Sequence, residues 1–246
     1  SMSLIISPSQ QLMAKDKDAE CRKLYSTIQR NAERILQLVK QLMDIRKIDK
    51  GQMSLMFKKA EIVSFTRDLL ETFEQQTRVK KLDLKFHTSA PEIEMWIDPK
   101  NFDKIILNLL SNACKFTPEN GQVEISLSTG EDTHLPQNAP LRRYVELTVA
   151  DSGIGIASTE REHIFERFYQ IRNSQNNSNI GTGIGLHLTR SLVELHYGNI
   201  HVEDNGEGRP GSRFIIRLPL GNGHLKKEEI EEATTAGTLI NIPAAE

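Results

Sequence analysis

The sequence predicts an α/β protein: a two-layer sandwich with a mixed, mainly antiparallel sheet and helices on one face, preceded by an α-helical hairpin. Three observations support this fold class. Apolar residues recur at helical spacing through residues 4–49. Short segments between residues 82 and 218 alternate apolar and polar residues, which is the period of a strand. Amphipathic helices lie between these segments, the clearest at residues 103–117.

The N-terminal region predicts two helices, a short one at residues 4–15 and a longer one at 19–49 that ends before Gly51. The longer helix carries an apolar stripe made of Leu24, Ile28, Ile35, Leu38, Leu42 and Ile45. Two antiparallel helices bury little surface alone, so we expect the hairpin to complete a four-helix bundle in a homodimer. The alternative is a hairpin packed only on its own domain, because a stripe does not reveal what faces it.

The rest of the chain predicts strands that alternate with helices. Strands are expected at residues 53–57, 82–86, 94–97, 123–127 and 143–150, with a terminal hairpin at 199–203 and 212–218. A helix is expected at 61–80, a short one from Ser158 to Phe165, and another at 186–196. Asp98 and Pro99 begin the 103–117 helix as an N-cap and a proline in its first turn.

The helix at 103–117 combines an apolar face with a polar one. Its apolar positions are Ile105, Ile106, Leu109, Leu110 and Ala113. Asn108, Asn112 and Lys115 are four and then three residues apart, so they stack along one face. Two amide oxygens and an ammonium suit Mg²⁺ and the phosphates it carries, because magnesium prefers few protein oxygens together with water and phosphate. The alternative is the solvated face of a surface helix.

Two glycine-rich segments follow. Asp151 ends a predicted strand directly before Gly153 and Gly155, and glycine allows the backbone to approach a flat ring closely. A buried aspartate accepts a hydrogen bond from an exocyclic amine, which favours adenine over guanine, whereas the alternative is a solvent-exposed turn. Residues 181–186 open a helix whose free amides can face phosphates. Their spacing departs from a dinucleotide-binding fingerprint, and no P-loop sequence is present.

Together these segments resemble the nucleotide-binding domain of sensor histidine kinases, a Bergerat-type ATPase fold shared with gyrase, MutL and a heat-shock chaperone. Residues 108–117 are similar to the N box of that family, 151–155 to its first glycine box, 165–169 to its F box and 181–186 to its second glycine box. The resemblance implies an ATP site formed by Asn108, Asn112, Lys115, Asp151, Gly153, Gly155, Ile156, Tyr169, Gly181, Thr182, Gly183, Ile184, Gly185, Leu186 and Ser212.

The resemblance also implies roles for individual residues. Asp151 would accept from the adenine amine, Asn112 would hold Mg²⁺ with help from Asn108, and Lys115 would offset charge on the transferred phosphoryl group. The polar run 170–182 is similar to the ATP lid of the family. The position after Tyr169, often basic in relatives, is Gln170 here, which leaves the neighbouring Arg167 and Arg172 as candidates to replace it.

The phosphate acceptor of these kinases lies in the first helix of the hairpin, in a His-Glu-x-x-Thr-Pro type motif. The seven histidines are His87, His134, His163, His187, His196, His201 and His224. None of them has that context, and His187 and His196 are interpreted as structural or solvated residues. We therefore expect a chain that binds ATP but cannot phosphorylate itself by the route that the family uses.

By this resemblance the chain is the ATP-binding catalytic core of a two-component sensor histidine kinase, which transfers the γ-phosphate to a histidine for relay to a response-regulator aspartate. The alternative is a nucleotide-gated binding module without enzymatic activity. A third class, the ATP-hydrolysing machines of the superfamily, uses glutamate as a water-activating base at the position of Asn108. That class is disfavoured because an amide cannot take the proton.

The expected organisation is a truncated dimerisation hairpin at residues 1–51, a catalytic domain at 52–220 and a linker at 221–246. The segment 219–225 resembles hybrid kinases, in which a receiver domain follows. A net charge of −2 argues against binding to nucleic acid or to a membrane surface. No apolar run reaches the roughly 20 residues of a membrane helix, and the two cysteines indicate free thiols in a reducing compartment. We expect the cytoplasmic portion of a membrane-anchored sensor.

Overall fold

The computed structural model describes residues 3–171, 181–206 and 208–231. The chain begins with helices α1 (Ser3–Lys15) and α2 (Ala19–Asp49), which pack against each other as a hairpin. The Asp18 side chain caps α2 by accepting a hydrogen bond from the Glu20 backbone N–H at 2.9 Å. The helix ends just before Gly51, whose φ of 62° is the left-handed conformation that terminates many helices. Both predicted helices are confirmed.

The apolar stripe of α2 is buried at some positions and exposed to solvent at others. Ile45 is buried in the core of the following domain, and Leu38 packs against that core. Four other stripe residues stay between 43% and 63% exposed, namely Leu24, Ile28, Ile35 and Leu42. The hairpin therefore packs partly on its own domain, and it also keeps an apolar surface that no described residue covers.

A five-stranded sheet forms the centre of the domain. Its order is β2 (Asp83–Thr88), β4 (Gln122–Glu131), β5 (Arg143–Asp151), β7 (Ser212–Pro219) and β6 (Asn199–Asp204). Strands β2 and β4 are parallel, and the other three pairs are antiparallel. A separate antiparallel pair joins β1 (Lys58–Glu61) to β3 (Glu94–Ile97). The mixed, mainly antiparallel sheet predicted from the sequence is confirmed.

Four further helices complete the layers: α3 (Ile62–Glu71), α4 (Glu74–Lys80), α5 (Pro99–Phe116) and α6 (Gly185–Leu195). Helix α5 packs on β5 and α6 on β6, while α3 packs on α5. Alternate residues of β4 and β5 are almost fully buried beneath these helices, including Val123, Ile125, Leu127, Val145, Leu147 and Val149. One face of the sheet therefore carries the core.

Both ends of α5 are held by side chains. The Asp98 carboxylate caps its first turn by accepting from the Asn101 N–H at 3.2 Å, and it also accepts from the Met56 N–H at 3.0 Å. At the other end the Lys80 ammonium donates to the carbonyls of Cys114, Lys115 and Thr117, at 2.8, 3.1 and 3.1 Å. A cation at the C-terminal end also complements the helix dipole.

The structure corrects three predicted elements. Residues 53–56 form no strand; Phe57 makes only an isolated bridge, and β1 lies at 58–61, where its partner β3 decides the pairing. The single helix expected at 61–80 is divided between α3 and α4, because the chain turns at Thr72 and Phe73 to bury the phenyl ring. The helix expected from Ser158 is reduced to a 3₁₀ turn at His163–Phe165.

The start of the predicted linker is docked on the domain. Phe57 donates through its N–H to the Glu229 carbonyl at 2.7 Å and accepts from the Glu231 N–H at 2.9 Å. The Tyr197 hydroxyl lies 2.8 and 3.0 Å from the two carboxylate oxygens of Glu229. Residues 221–231 therefore pack beside the segment that follows α2, and residues 232–246 lie outside the described part. Within the described part, no helix is long and apolar enough to cross a membrane.

Candidate nucleotide site

The polar face of α5 forms one wall of the candidate site. Asn108, Asn112 and Lys115 are all partly buried along it, as their spacing predicts. The Asn108 Nδ2 donates to the Thr189 hydroxyl on α6 at 2.8 Å, which leaves Oδ1 as the free acceptor of that amide. A Cβ atom added to Gly185 would lie 2.4 Å from this Oδ1. Asn108 therefore lies against the first residue of α6, and a side chain at position 185 would displace its amide from this position.

Lys115 extends this wall toward the second glycine segment. Its ammonium lies 4.8 Å from the centre of the Phe116 ring and 3.4 Å from the position that a Cβ of Gly181 would occupy. Burial lowers the pKa of Lys115, and the positive charge of Arg34 on α2 lowers it further. A partly buried positive charge of this kind is stabilised when a negative group binds beside it. Lys115 thus brings a partly buried positive charge to the start of the 181–186 segment.

Asp151 ends β5 with a buried side chain. Its Oδ1 accepts from the Gly153 N–H at 2.8 Å, and its Oδ2 accepts from the Ser212 hydroxyl at 2.7 Å. Burial raises the pKa of Asp151, while the hydrogen bonds from Ser212 and Gly153 partly oppose that increase. A carboxylate has about four acceptor sites, so lone pairs remain available for a ligand.

The Asp151 loop and the end of α5 are in contact. A Cβ atom on Gly153 would lie 2.5 Å from the Phe116 carbonyl oxygen, which only glycine can tolerate. Gly155 has a φ of 72°, again a conformation that favours glycine. Ile156 packs against the core, and its carbonyl accepts from the Arg161 side chain at 3.4 Å. The acid-bearing loop and the amide-bearing helix therefore belong to one site.

The N-terminal end of α6 faces the same region through Gly185. No side chain caps this helix within the described residues, so its first N–H groups are available to an anion. The Thr182 hydroxyl accepts weakly from the Ile184 N–H at 3.4 Å. Leu186 packs against the core, and the buried Ile184 side chain lines a cavity of about 170 Å³ beside α2. The Ile184 side chain thus faces the helical hairpin, so its backbone is the part that can contact a nucleotide.

The F-box residues have defined partners. The Tyr169 hydroxyl donates to Glu160, and its ring lies 5.6 Å from that of His163. Arg167 forms an ion pair with Asp49 on α2 and donates to His187 at 2.9 Å. Of the two arginines considered for the phosphates, Arg167 is therefore paired with the hairpin. Arg172 and the predicted lid residues 172–180 lie outside the described residues.

Gly183 fixes the F box against the second glycine segment. Its φ is 68°, and a Cβ there would lie 2.5 Å from the backbone of Phe168. The Phe168 N–H donates to the Gly183 carbonyl at 2.9 Å, and the Gln170 side chain donates to the Gly181 carbonyl at 3.1 Å. Gln170 thus supports the backbone at the start of the second glycine segment.

His196 is structural, as predicted. It is 2% exposed; its Nδ1 donates to the Leu192 carbonyl at 2.7 Å, and its Nε2 accepts from the Asp98 N–H at 3.2 Å. This arrangement requires a neutral ring, and burial lowers the pKa of His196 accordingly. His187 bonds to the Phe165 carbonyl and to Arg167, which is also a structural role.

Sequence reasoning did not identify three residues that shape the site. Thr189 orients the Asn108 amide, Lys80 holds the end of α5, and Asn205 donates to the Asp151 carbonyl. Their sequence separations from these partners are 81, 34 and 54 residues. No local pattern marks such residues, because each one is identified only by a partner that is distant in sequence.

Comparison with known proteins identifies a family for the chain. The model of the family described as histidine kinase-, DNA gyrase B- and HSP90-like ATPase matches residues 97–222. The sensor histidine kinase TmoS of Ectopseudomonas mendocina is 36% identical over 221 residues, covering 89% of this chain and 21% of that protein. The hybrid signal transduction histidine kinase D of Dictyostelium discoideum is 33% identical over 235 residues, covering 94% of this chain and 15% of that protein.

A solved structure shares the fold. The full-length protein ShkA, determined in complex with AMPPNP, has a TM-score of 0.71 at 24% identity. The similarity covers 89% of this chain and 43% of that one. The chain therefore spans less than half of this structure, and about a fifth or less of the two curated relatives that it matches.

Proposed function

The chain belongs to the family of histidine kinase-, DNA gyrase B- and HSP90-like ATPases, and we propose that it is the ATP-binding catalytic core of a two-component sensor histidine kinase. The observation that carries this proposal is the contact between Gly153 and the Phe116 carbonyl. It places the buried Asp151 carboxylate next to the helix that bears Asn108, Asn112 and Lys115. A base-recognition group and a phosphate-recognition surface are thereby adjacent, as an ATP site requires.

Asp151 recognises the base in this proposal. Its carboxylate is held by Gly153 and Ser212 and keeps lone pairs that accept from the exocyclic amine of adenine. A guanine ring presents a carbonyl at the corresponding position, and two acceptors facing each other cannot form a hydrogen bond. The site therefore selects adenine, because guanine would place a carbonyl oxygen against the remaining lone pairs of a buried carboxylate.

The phosphates lie between α5 and the start of α6. The amide oxygens on this helix face suit Mg²⁺, which takes few protein ligands together with water and phosphate oxygens. The Lys115 ammonium on the same face suits the phosphates. Asn112 would hold the ion with help from the Asn108 Oδ1, whose orientation Thr189 sets. When bound, Mg²⁺ neutralises phosphate charge. Lys115 offsets charge on the transferred γ-phosphoryl group, and the free N–H groups of α6 bind phosphate oxygens.

Asn108 also affects whether the γ-phosphate is transferred to water or to a histidine. An amide is not a base, and here its nitrogen is already engaged with Thr189, so it cannot take a proton from an attacking water. ATP is therefore conserved for a histidine acceptor on a dimerisation helix and for relay to the aspartate of a receiver domain. The name of the Dictyostelium relative, a hybrid kinase, supports a receiver in the same full-length chain.

The hairpin joins two copies of the chain in this proposal. Leu24, Ile28, Ile35 and Leu42 are exposed on one helix. An uncovered apolar surface of that kind favours association, and two hairpins make a four-helix bundle. Light scattering measures the mass directly: a dimer supports this assignment, and a monomer at high concentration contradicts it. We also propose that the chain is the cytoplasmic portion of a membrane-anchored sensor, since its two cysteines are free thiols, as is usual in a reducing compartment.

The first test is calorimetric titration of this chain with AMPPNP and with its guanine counterpart, each with and without Mg²⁺. We expect magnesium-dependent binding of the adenine nucleotide alone. No binding to either nucleotide contradicts the proposed function.

A second test separates a kinase from a binding module. A dimerisation helix that carries an acceptor histidine is supplied in trans with γ-labelled ATP, and its His→Gln variant is the matched control. Label on the histidine-containing helix alone supports phosphoryl transfer. Binding of nucleotide without any label on the helix contradicts it.

A further inference from the structure

The loop between β6 and β7 is tied to the backbone of the base-recognition residue. Asn205 directly follows β6, and its Nδ2 donates to the Asp151 carbonyl at 2.6 Å and to the Pro210 carbonyl at 2.7 Å. An amide nitrogen carries two hydrogens, so both are used. Asn205 therefore joins its own loop to the end of β5 with its full donor capacity.

Gly211 shows how closely this loop approaches Asp151. A Cβ atom at Gly211 would lie 1.7 Å from the Asp151 carbonyl oxygen, and the residue has a φ of 101°. The Gly211 carbonyl lies 3.1 Å from the position that a Cβ of Gly155 would occupy. The β6–β7 loop thus contacts both Asp151 and Gly155, the two ends of the first glycine segment.

A second connection lies beside the first. Asp204, the last residue of β6, forms an ion pair with Arg161 at 2.5 Å. The Arg161 Nε in turn donates to the Ile156 carbonyl at 3.4 Å. Residues 204 and 205 therefore hold the segment 151–156 at its beginning and at its end.

We propose that Asn205 is a positioning residue for base recognition, acting through Asp151. Its bond to the Asp151 carbonyl fixes that peptide, and the peptide orients the carboxylate between Gly153 and Ser212. Only in that orientation do the remaining lone pairs face the exocyclic amine. The proposal rests on the proposed function of Asp151 and deepens it, because it makes the β6–β7 loop part of the adenine selectivity.

The test compares two nucleotides that differ only in the group that Asp151 contacts. ADP carries the exocyclic amine, and purine riboside diphosphate lacks it and puts no other group in its place. We expect Asn205→Ala to weaken ADP binding about five- to tenfold, the loss of roughly one hydrogen bond, and to change binding of the amine-free nucleotide less than twofold. Asn199→Ala is the matched control, since Asn199 is exposed at the start of the same strand.

A double-mutant cycle identifies the route of the effect. In an Asp151→Asn background, Asn205→Ala should change ADP affinity less than twofold, because the group that it positions is no longer a charged acceptor. A merely structural role predicts equal losses for both nucleotides and the same loss in either background. Either of those results overturns the positioning role.

The outcomes separate this inference from the proposed function. If Asp151→Asn leaves ADP affinity unchanged, the adenine assignment itself fails. If Asp151→Asn weakens binding but Asn205→Ala affects both nucleotides equally, only the role of Asn205 fails. Should Asn205→Ala not fold, Asn205→Ser also removes the amide that donates to the Asp151 and Pro210 carbonyls but keeps a polar side chain. That variant must then show the selective loss for ADP, and equal losses contradict the proposal.

Discussion

Asp151→Asn is the substitution that separates ligand recognition from folding most clearly. In the folded protein its two oxygens accept from the Gly153 N–H and the Ser212 hydroxyl, at 2.8 and 2.7 Å. An asparagine keeps the oxygen that faces Gly153, and the Ser212 hydroxyl can rotate to accept from the new amide nitrogen. The hydrogen bonds with the Gly153 N–H and with the Ser212 hydroxyl are therefore preserved, while the charged acceptor for an exocyclic amine is removed.

The magnitude follows from the bond that is lost. A hydrogen bond to a charged group contributes about 1.5 to 3 kcal/mol, so the affinity for AMPPNP should fall by roughly 10- to 150-fold at 25 °C. The free energy of unfolding should not decrease along with the affinity. Burial raises the pKa of Asp151, so the ionised carboxylate costs folding free energy as the pH rises through the folded-state pKa. The neutral amide removes that cost, and the variant should unfold no earlier than the parent protein at pH 7.

The assay is calorimetric titration paired with thermal unfolding of the same samples. Asp83→Asn is the matched control, because the Asp83 side chain is exposed and, among the described residues, forms a surface ion pair with Lys85 alone. We expect weak binding with retained stability for Asp151→Asn, and parental values for the control. Unchanged affinity, or an equal loss for a nucleotide without the exocyclic amine, would refute the reasoning.

The remaining predictions concern the metal, pH and the end of α5. Asn112→Ala should make AMPPNP affinity nearly independent of Mg²⁺ in titrations with and without the ion, and persistent dependence would place the ligand elsewhere. The lowered pKa of His196 means that the unfolded state binds its proton first, so the free energy of unfolding should decrease as the pH falls below about 6.5. Denaturation of His196→Gln should show a weaker pH dependence over that range, and an identical one would exclude His196 as the source. Lys80→Met removes three hydrogen bonds to the end of α5 and should cost about 1.5 to 3 kcal/mol of stability, measured by urea unfolding. Lys100→Met, at an exposed position, should cost little, and equal losses would remove the special role of Lys80.

Much of the candidate site was predictable because its signals are local. Spacings of four and three residues necessarily place Asn108, Asn112 and Lys115 on one face of a helix, whatever surrounds it. A carboxylate at the end of an alternating strand, followed by Gly153, needs no distant partner to be noticed. Helical spacing also predicted α2 and its capped end correctly.

The errors came from elements whose conformation depends on distant partners. Residues 58–61 are charged or small and show no apolar alternation, yet they form β1 because β3 pairs with them. The turn at Thr72 and Phe73 interrupts a good helical pattern, because it allows Phe73 to be buried. The sequence also gave no sign that residues 221–231 of the predicted linker are held on the domain by the backbone of Phe57 and the Tyr197 hydroxyl.

The sequence by itself therefore determined the fold class, the family resemblance and the chemical groups of the site, since each depends on residues that are close along the chain. Only the tertiary structure decided how those groups are oriented. Thr189 turns the Asn108 amide, Lys80 ends α5, and Asn205 fixes the Asp151 peptide. Each of these hydrogen bonds joins residues that folding alone brings together, so no local pattern in the sequence can specify them.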